Sequence, residues 1–189
     1  MPDEPEVVGL LALLLLHDAR RESRVDDAGE LVTLAEQDRS RWDRAEIDEG
    51  VALLESALRR RCPGPYQIQA AIAACHATAR TAEETDWPQI AQLYAVLVRH
   101  VPSPVVRLNR AVAVAMADGP AAGLSLVDEL AAELADYHLL HATRGELLHR
   151  LGRDDEAAGE YRTARDLART GTERRHLQRK LDALLTDPL

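Results

Sequence analysis

Apolar residues in this chain recur at every third or fourth position, in short runs cut by proline, glycine or aspartate. Ile90, Leu93, Tyr94, Leu97, Val98 and Val101, between Asp86 and Pro102, are the clearest run. That spacing lines one face of a helix and would scatter across both faces of a strand. Pro63-Gly64-Pro65, Ser103-Pro104, Gly119-Pro120 and Gly152 separate similar runs. Phe is absent and aromatic residues make up 3% of the chain, so the core must be aliphatic. Ala and Leu favour helix over strand. The sequence therefore predicts an all-α protein of about nine helices with no substantial sheet.

The first helix is expected from about Pro5 to Arg24, followed by turn chemistry at Asp26-Asp27-Ala28-Gly29. The second starts at Asp43, which has capping-box spacing to Glu46, and ends before Pro63. Further helices begin at Pro65, Asp86, Pro104 and Pro120, and near Tyr137, Asp154 and Thr172. Gly119 and Gly152 each lie between two helices, at close to the tetratricopeptide (TPR) period. With Gly152 as the turn, Gly145 takes the close-packing position. Ala157, Tyr161 and Ala164 take the small-large-small positions of the next helix. Other TPR positions fail, since His141 and Arg144 stand where a Trp and a Leu belong. The expectation is a TPR-like array of helical hairpins over 63–189, preceded by a helical part over 5–62, the two running on as one continuous domain.

Composition excludes several functions. Net charge is −9 and pI about 5.3. No segment is strongly basic, so direct DNA binding is not expected. Val7 to Leu16 is too short to span a bilayer and is preceded by acids rather than by a basic signal region. It is expected to be a helix buried in protein, and the chain to be cytoplasmic with no membrane partner. Cys62 and Cys75 lack metal-site spacing and are expected to be reduced, buried and inert. No phosphate loop, nucleophile elbow or metalloprotease motif occurs, so no catalytic residue, cofactor or metal site is expected. His138 and His141 have helical i, i+3 spacing but too few further ligands nearby, and read better as surface or capping histidines.

The stretch "LVTLAEQDRSRWDR" departs from the surrounding pattern. Gln37, Asp38, Arg39 and Trp42 form either a pinned corner or a recognition surface. Arg39 and Arg41 can fork onto carboxylates, with Asp38 or Asp18 as receivers. Asp18, Arg20, Arg21 and Arg24 read as a charged helix end. Arg144 sits on an otherwise apolar stripe, so it must pair with an acid or line a groove.

The string "GLLALLLLHDARRESRVDDAGELVTLAEQDRSRWDRAEIDEGVALLESAL" resembles the C-terminal extension of one group of bacterial extracytoplasmic-function sigma factors, those with a fused TPR-like domain. "GPYQIQAAIAACHA", "TDWPQIAQLYAVL", "PSPVVRLNRAVAVA", "YHLLHATRGELLHRLGR" and "ERRHLQRKL" continue the resemblance in order over essentially the whole chain. It implies a regulatory domain of transcription initiation, an isolated extension without the promoter-reading sigma domains. Its partners would be the sigma core domains of the same full-length chain and the RNA polymerase core. The alternative is a small-molecule sensor in the same factor, with a cleft lined by Tyr66, Gln69, His76, Trp87, Asn109 and Arg110.

Overall fold

Local signals set the helices in the computed structural model, which describes residues 4–186. They are α1 (Pro5–Asp18), α2 (Arg44–Leu58), α3 (Pro65–Thr78), α4 (Trp87–His100), α5 (Pro104–Asp118), α6 (Pro120–Asp128), α7 (His138–His149), α8 (Asp154–Leu167) and α9 (Gly171–Thr186). The all-α expectation holds: among the described residues the β structure is an isolated bridge between Val25 and Leu31. Asp43 accepts from the Ala45 and Glu46 amides and Asp86 from the Gln89 amide, each relieving unpaired donors at a helix start. Proline stands in the first turn of α1, α3, α4, α5 and α6, where its missing N–H costs nothing. α1 stops at Asp18, short of the expected Arg24. The chain tightens there into a 3₁₀ turn, Arg21–Ser23, and the Asp43 amide takes the Ala19 carbonyl.

The chain forms two compact units, Met1–Pro102 and Ser103–Leu189. The Pro63-Gly64-Pro65 break thus falls inside the first unit, because α3 packs on both α1 and α2. α4 packs on α3. Gly9, Ala12, Leu16 and Ala19 turn one face of α1 into a core with Trp42, Ile47, Leu54, Ala70 and Ala77. Gly9 allows the approach of α3: a Cβ there would lie 2.6 Å from the Gln67 Cγ. The Glu6 carboxylate caps α3, accepting from the Tyr66 amide at 3.0 Å and the Gln67 amide at 3.2 Å. A carboxylate at that end also answers the helix dipole.

Two sequence expectations are corrected here. The first helix is not buried on all sides: Val7, Leu11 and Leu14, at i, i+4 and i+7, are 53%, 47% and 57% exposed. α2 and α3 cover only the small-residue side of α1, where close approach is possible. Nor are both cysteines buried. Cys62 is exposed, outside any helix, and Cys75 is half-buried.

In the second unit each helix packs mainly on the next, from α5 to α9, the nearest-neighbour pattern of a helical array. Its core joins Leu108, Leu124, Val127, Leu140, Leu147, Leu148, Tyr161, Leu177, Leu181 and Leu184. Gly152, at φ 72°, makes the turn between α7 and α8. Gly145 sits against Tyr161, 3.1 Å from where a Cβ would be, as the repeat reading requires. Gly123 is tighter. A Cβ there would meet the Ala115 Cβ at 2.3 Å and the Ala111 carbonyl oxygen at 2.9 Å. Gly123→Ala should therefore push α6 off α5 and cost about 1–3 kcal/mol. A denaturant melt whose midpoint for the second unit is unchanged would show that these helices yield freely.

Candidate functional site

The corner around Trp42 is built from the inside. Asp38 caps a 3₁₀ turn, Arg39–Arg41, accepting from the Ser40 amide at 2.9 Å and the Ser40 hydroxyl at 2.6 Å. Those bonds, the hydroxyl one foremost, hold the Asp38 carboxyl below its ordinary range. Asp38 is thus occupied locally and does not receive Arg39, as the sequence suggested. The Arg39 guanidinium instead donates to the carbonyls of His76, at 2.6 Å, and Ala79, at 2.9 Å, at the C-terminal end of α3. Helix-end carbonyls carry unpaired acceptors and partial negative charge, so they suit a buried cation as a carboxylate would. Arg39 also lies 4.6 Å from the centroid of the Trp42 ring, a cation–π contact. Trp42 is 3% exposed and belongs to the core, so the ring is a structural plug. Gln37 is also buried and donates to the Val32 carbonyl.

Beyond α1 the sequence-predicted charged residues divide. Asp18 pairs with Arg21 at 3.7 Å, on the surface. Arg20 turns inward and meets the His17 Nδ1 at 3.2 Å, while Arg24 donates to the His17 carbonyl at 2.7 Å. Burial, then Arg24 and Arg39, lower the pKa of Arg20. His76 stacks edge-on against Trp87, centroids 5.1 Å apart. Burial, then Arg20, Arg39 and His17, bring its pKa down to about 4. The outcome is a basic cluster, Arg20, Arg24 and Arg39 around two neutral histidines, on an acidic protein. Neither Arg20 nor Arg24 has a carboxylate in ion-pair range among the described residues.

That His76 shift has a pH consequence. Between its ordinary 6.5 and its folded value of about 4, the unfolded chain binds the proton and the folded chain does not. Stability is therefore lost as pH falls through this window, by up to about 3 kcal/mol from His76 alone. The free-energy difference between the native protein and His76→Gln should shrink by that order from pH 7 to pH 4. Parallel curves would mean that His76 titrates normally.

The sequence-proposed cleft is not assembled within either unit. Tyr66 and Gln69 stand at the start of α3 and His76 near its end, about 15 Å along the helix from Tyr66. Tyr66 is exposed and Gln69 donates back to the Pro65 carbonyl. Asn109 and Arg110 belong to the second unit, on α5. Asn109 is exposed, and the buried Nε of Arg110 has no hydrogen-bond partner among the described residues. In the same unit Arg144 is paired, to Asp128 at 2.8 Å and to Glu160. Glu160 also holds His141 at 2.7 Å, and His141 reaches the Ala135 carbonyl at 2.8 Å. His138 faces Glu173 at 3.6 Å. The two histidines therefore engage acids on different helices, and these links tie α7 to α6, α8 and α9.

A feature missed in the sequence reading lies on α1. Leu11, Leu14 and Leu15 border an open depression of about 420 Å³, closed at one end by His17, Asp18, Arg21 and Arg24. Its signal was present in the all-round apolar run from Val7 to Leu16. A helix apolar on every side is either enclosed or offers a face.

Residues 1–58, which span α1, the corner and α2, match a family of unknown function, DUF6596. An uncharacterized protein of Rhizobium meliloti (strain 1021) is 48% identical over 187 residues, covering 99% of this chain and 44% of the relative. The chain thus spans less than half the length of the curated relative it matches. No solved structure matches it. Among the described residues no helix is long and apolar enough to cross a membrane.

Proposed function

We propose that this chain is a helical regulatory domain that acts by protein–protein contact within an extracytoplasmic-function sigma factor. The observation that carries the contact reading is the leucine face of α1, exposed beside Arg24, which has no carboxylate in ion-pair range among the described residues. Contiguous exposed apolar surface of this kind marks interaction sites. The polar groups singled out in α7, by contrast, are spent on neighbouring helices. The sigma-factor part of the reading rests on the resemblance of the sequence blocks. Its partners are then the sigma core domains and core RNA polymerase, and its effect is on transcription initiation.

The test is binding in trans. The purified chain is mixed with separately expressed sigma domains of a factor bearing such an extension, and with core polymerase. A linker supplies a millimolar effective concentration, so a complex detectable at about 100 μM in trans suffices. Binding to either supports the reading, and binding to neither at that concentration overturns it.

A further inference from the structure

Two features stand next to each other along α1 and just past its C-terminal end. The first is the ridge of Val7, Leu11 and Leu14, which lies opposite the face of Gly9, Ala12 and Leu16 that fills the core. Side chains at i, i+4 and i+7 stack on one side of a helix, and a second helix can lay its own apolar row beside them. The second is charge. At the end of the same ridge Arg24 is exposed, and Arg20 lies close enough to Arg24 and Arg39 for both to lower its pKa. Bringing like charges together costs free energy, and among the described residues Arg20 and Arg24 meet only neutral acceptors, His17 Nδ1 and the His17 carbonyl, while Arg39 holds the carbonyls ending α3 and feels the Glu83 carboxylate. A carboxylate arriving from outside would relieve that repulsion. Arg24 still has donors to offer it, since its bond to the His17 carbonyl uses one amino group.

We propose that the depression on α1 receives an amphipathic helix of the partner. Its leucine-type side chains pack against Leu11, Leu14 and Leu15, and a Glu or Asp one turn further along meets Arg24. This rests on the protein-contact reading above and names the partner's chemistry and the site it occupies. Charge complementarity selects the occupant: the depression is apolar along its length, and at its end Asp18 is paired with Arg21 while Arg24 has no carboxylate in ion-pair range among the described residues, so the helix that fits is apolar along one face and carries an acid at the matching end.

The experiment uses the whole chain and separately expressed sigma domains, with affinity measured by titration. Leu14 and Arg24 are exposed, so Leu14→Glu and Arg24→Glu should leave the melting curve in place. Each should weaken binding by about tenfold or more. Arg24→Lys should retain most of the affinity. Replacing the matching partner acid by lysine should restore binding to Arg24→Glu and not to Leu14→Glu. If the unmodified chain binds and both variants bind equally well, the inference is wrong while the contact reading stands. If the unmodified chain does not bind, both fall. A chain that self-associates through α1, and loses this with Leu14→Glu, has a second copy as occupant, which also overturns the inference.

Discussion

A chain ended at Leu151, lacking α8 and α9, should fail to fold its second unit. Those helices supply Ala157, Tyr161, Ala164, Leu177, Leu181 and Leu184 to the core. Their loss bares Leu140, Leu147 and Leu148 on α7, each now 3% exposed or less. At about 1.5–3 kcal/mol for each side chain, the loss is on the order of 5 kcal/mol or more. That matches the whole stability of an ordinary domain. It also strands the ion pairs of Arg144 and His141 with Glu160 and of Lys180 with Glu146. Leu151 itself is already exposed and adds nothing. Circular dichroism should show helix loss beyond the residues removed, and amides in α5 to α7 should exchange freely. Protected amides there would mean that α5 to α7 form a stable unit by themselves. If the chain serves as proposed in a sigma factor, the same truncation there should have the effect of deleting the whole chain.

Trp42→Ala should destabilise the first unit by about 3–5 kcal/mol. The ring fills the core between α1, α2 and α3 and supports the buried Arg39. Arg39→Ala should cost about 2–3 kcal/mol separately, since it leaves the carbonyls of His76 and Ala79 without their charged donor. The two substitutions touch one contact, so their effects should not add. A double-mutant cycle should show coupling of about 0.5–3 kcal/mol. An unchanged unfolding midpoint in Trp42→Ala would remove the structural role assigned to this corner and return Trp42 to the candidates for direct partner contact.

Much of the fold was legible because its signals are local. The caps at Asp43 and Asp86, the prolines opening five helices and the glycine turn at Gly152 act within a few residues of themselves. Short-range hydrogen bonding and backbone sterics decide them, and spacing in the sequence reports both. The small-large-small positions Ala157, Tyr161 and Ala164 were also readable, because close helix packing needs small residues at fixed intervals.

The site was less legible, because its partners come from far along the chain. Arg39 ends on carbonyls 37 and 40 residues away, and Glu6 caps a helix 60 residues on. A guanidinium can donate to a carboxylate or to helix-end carbonyls, and composition cannot say which one the fold brings near. The same holds for α1. Its sequence determined that it is a helix and apolar all round. Only the packing of α2 and α3 against its small residues decided that Val7, Leu11 and Leu14 face outward.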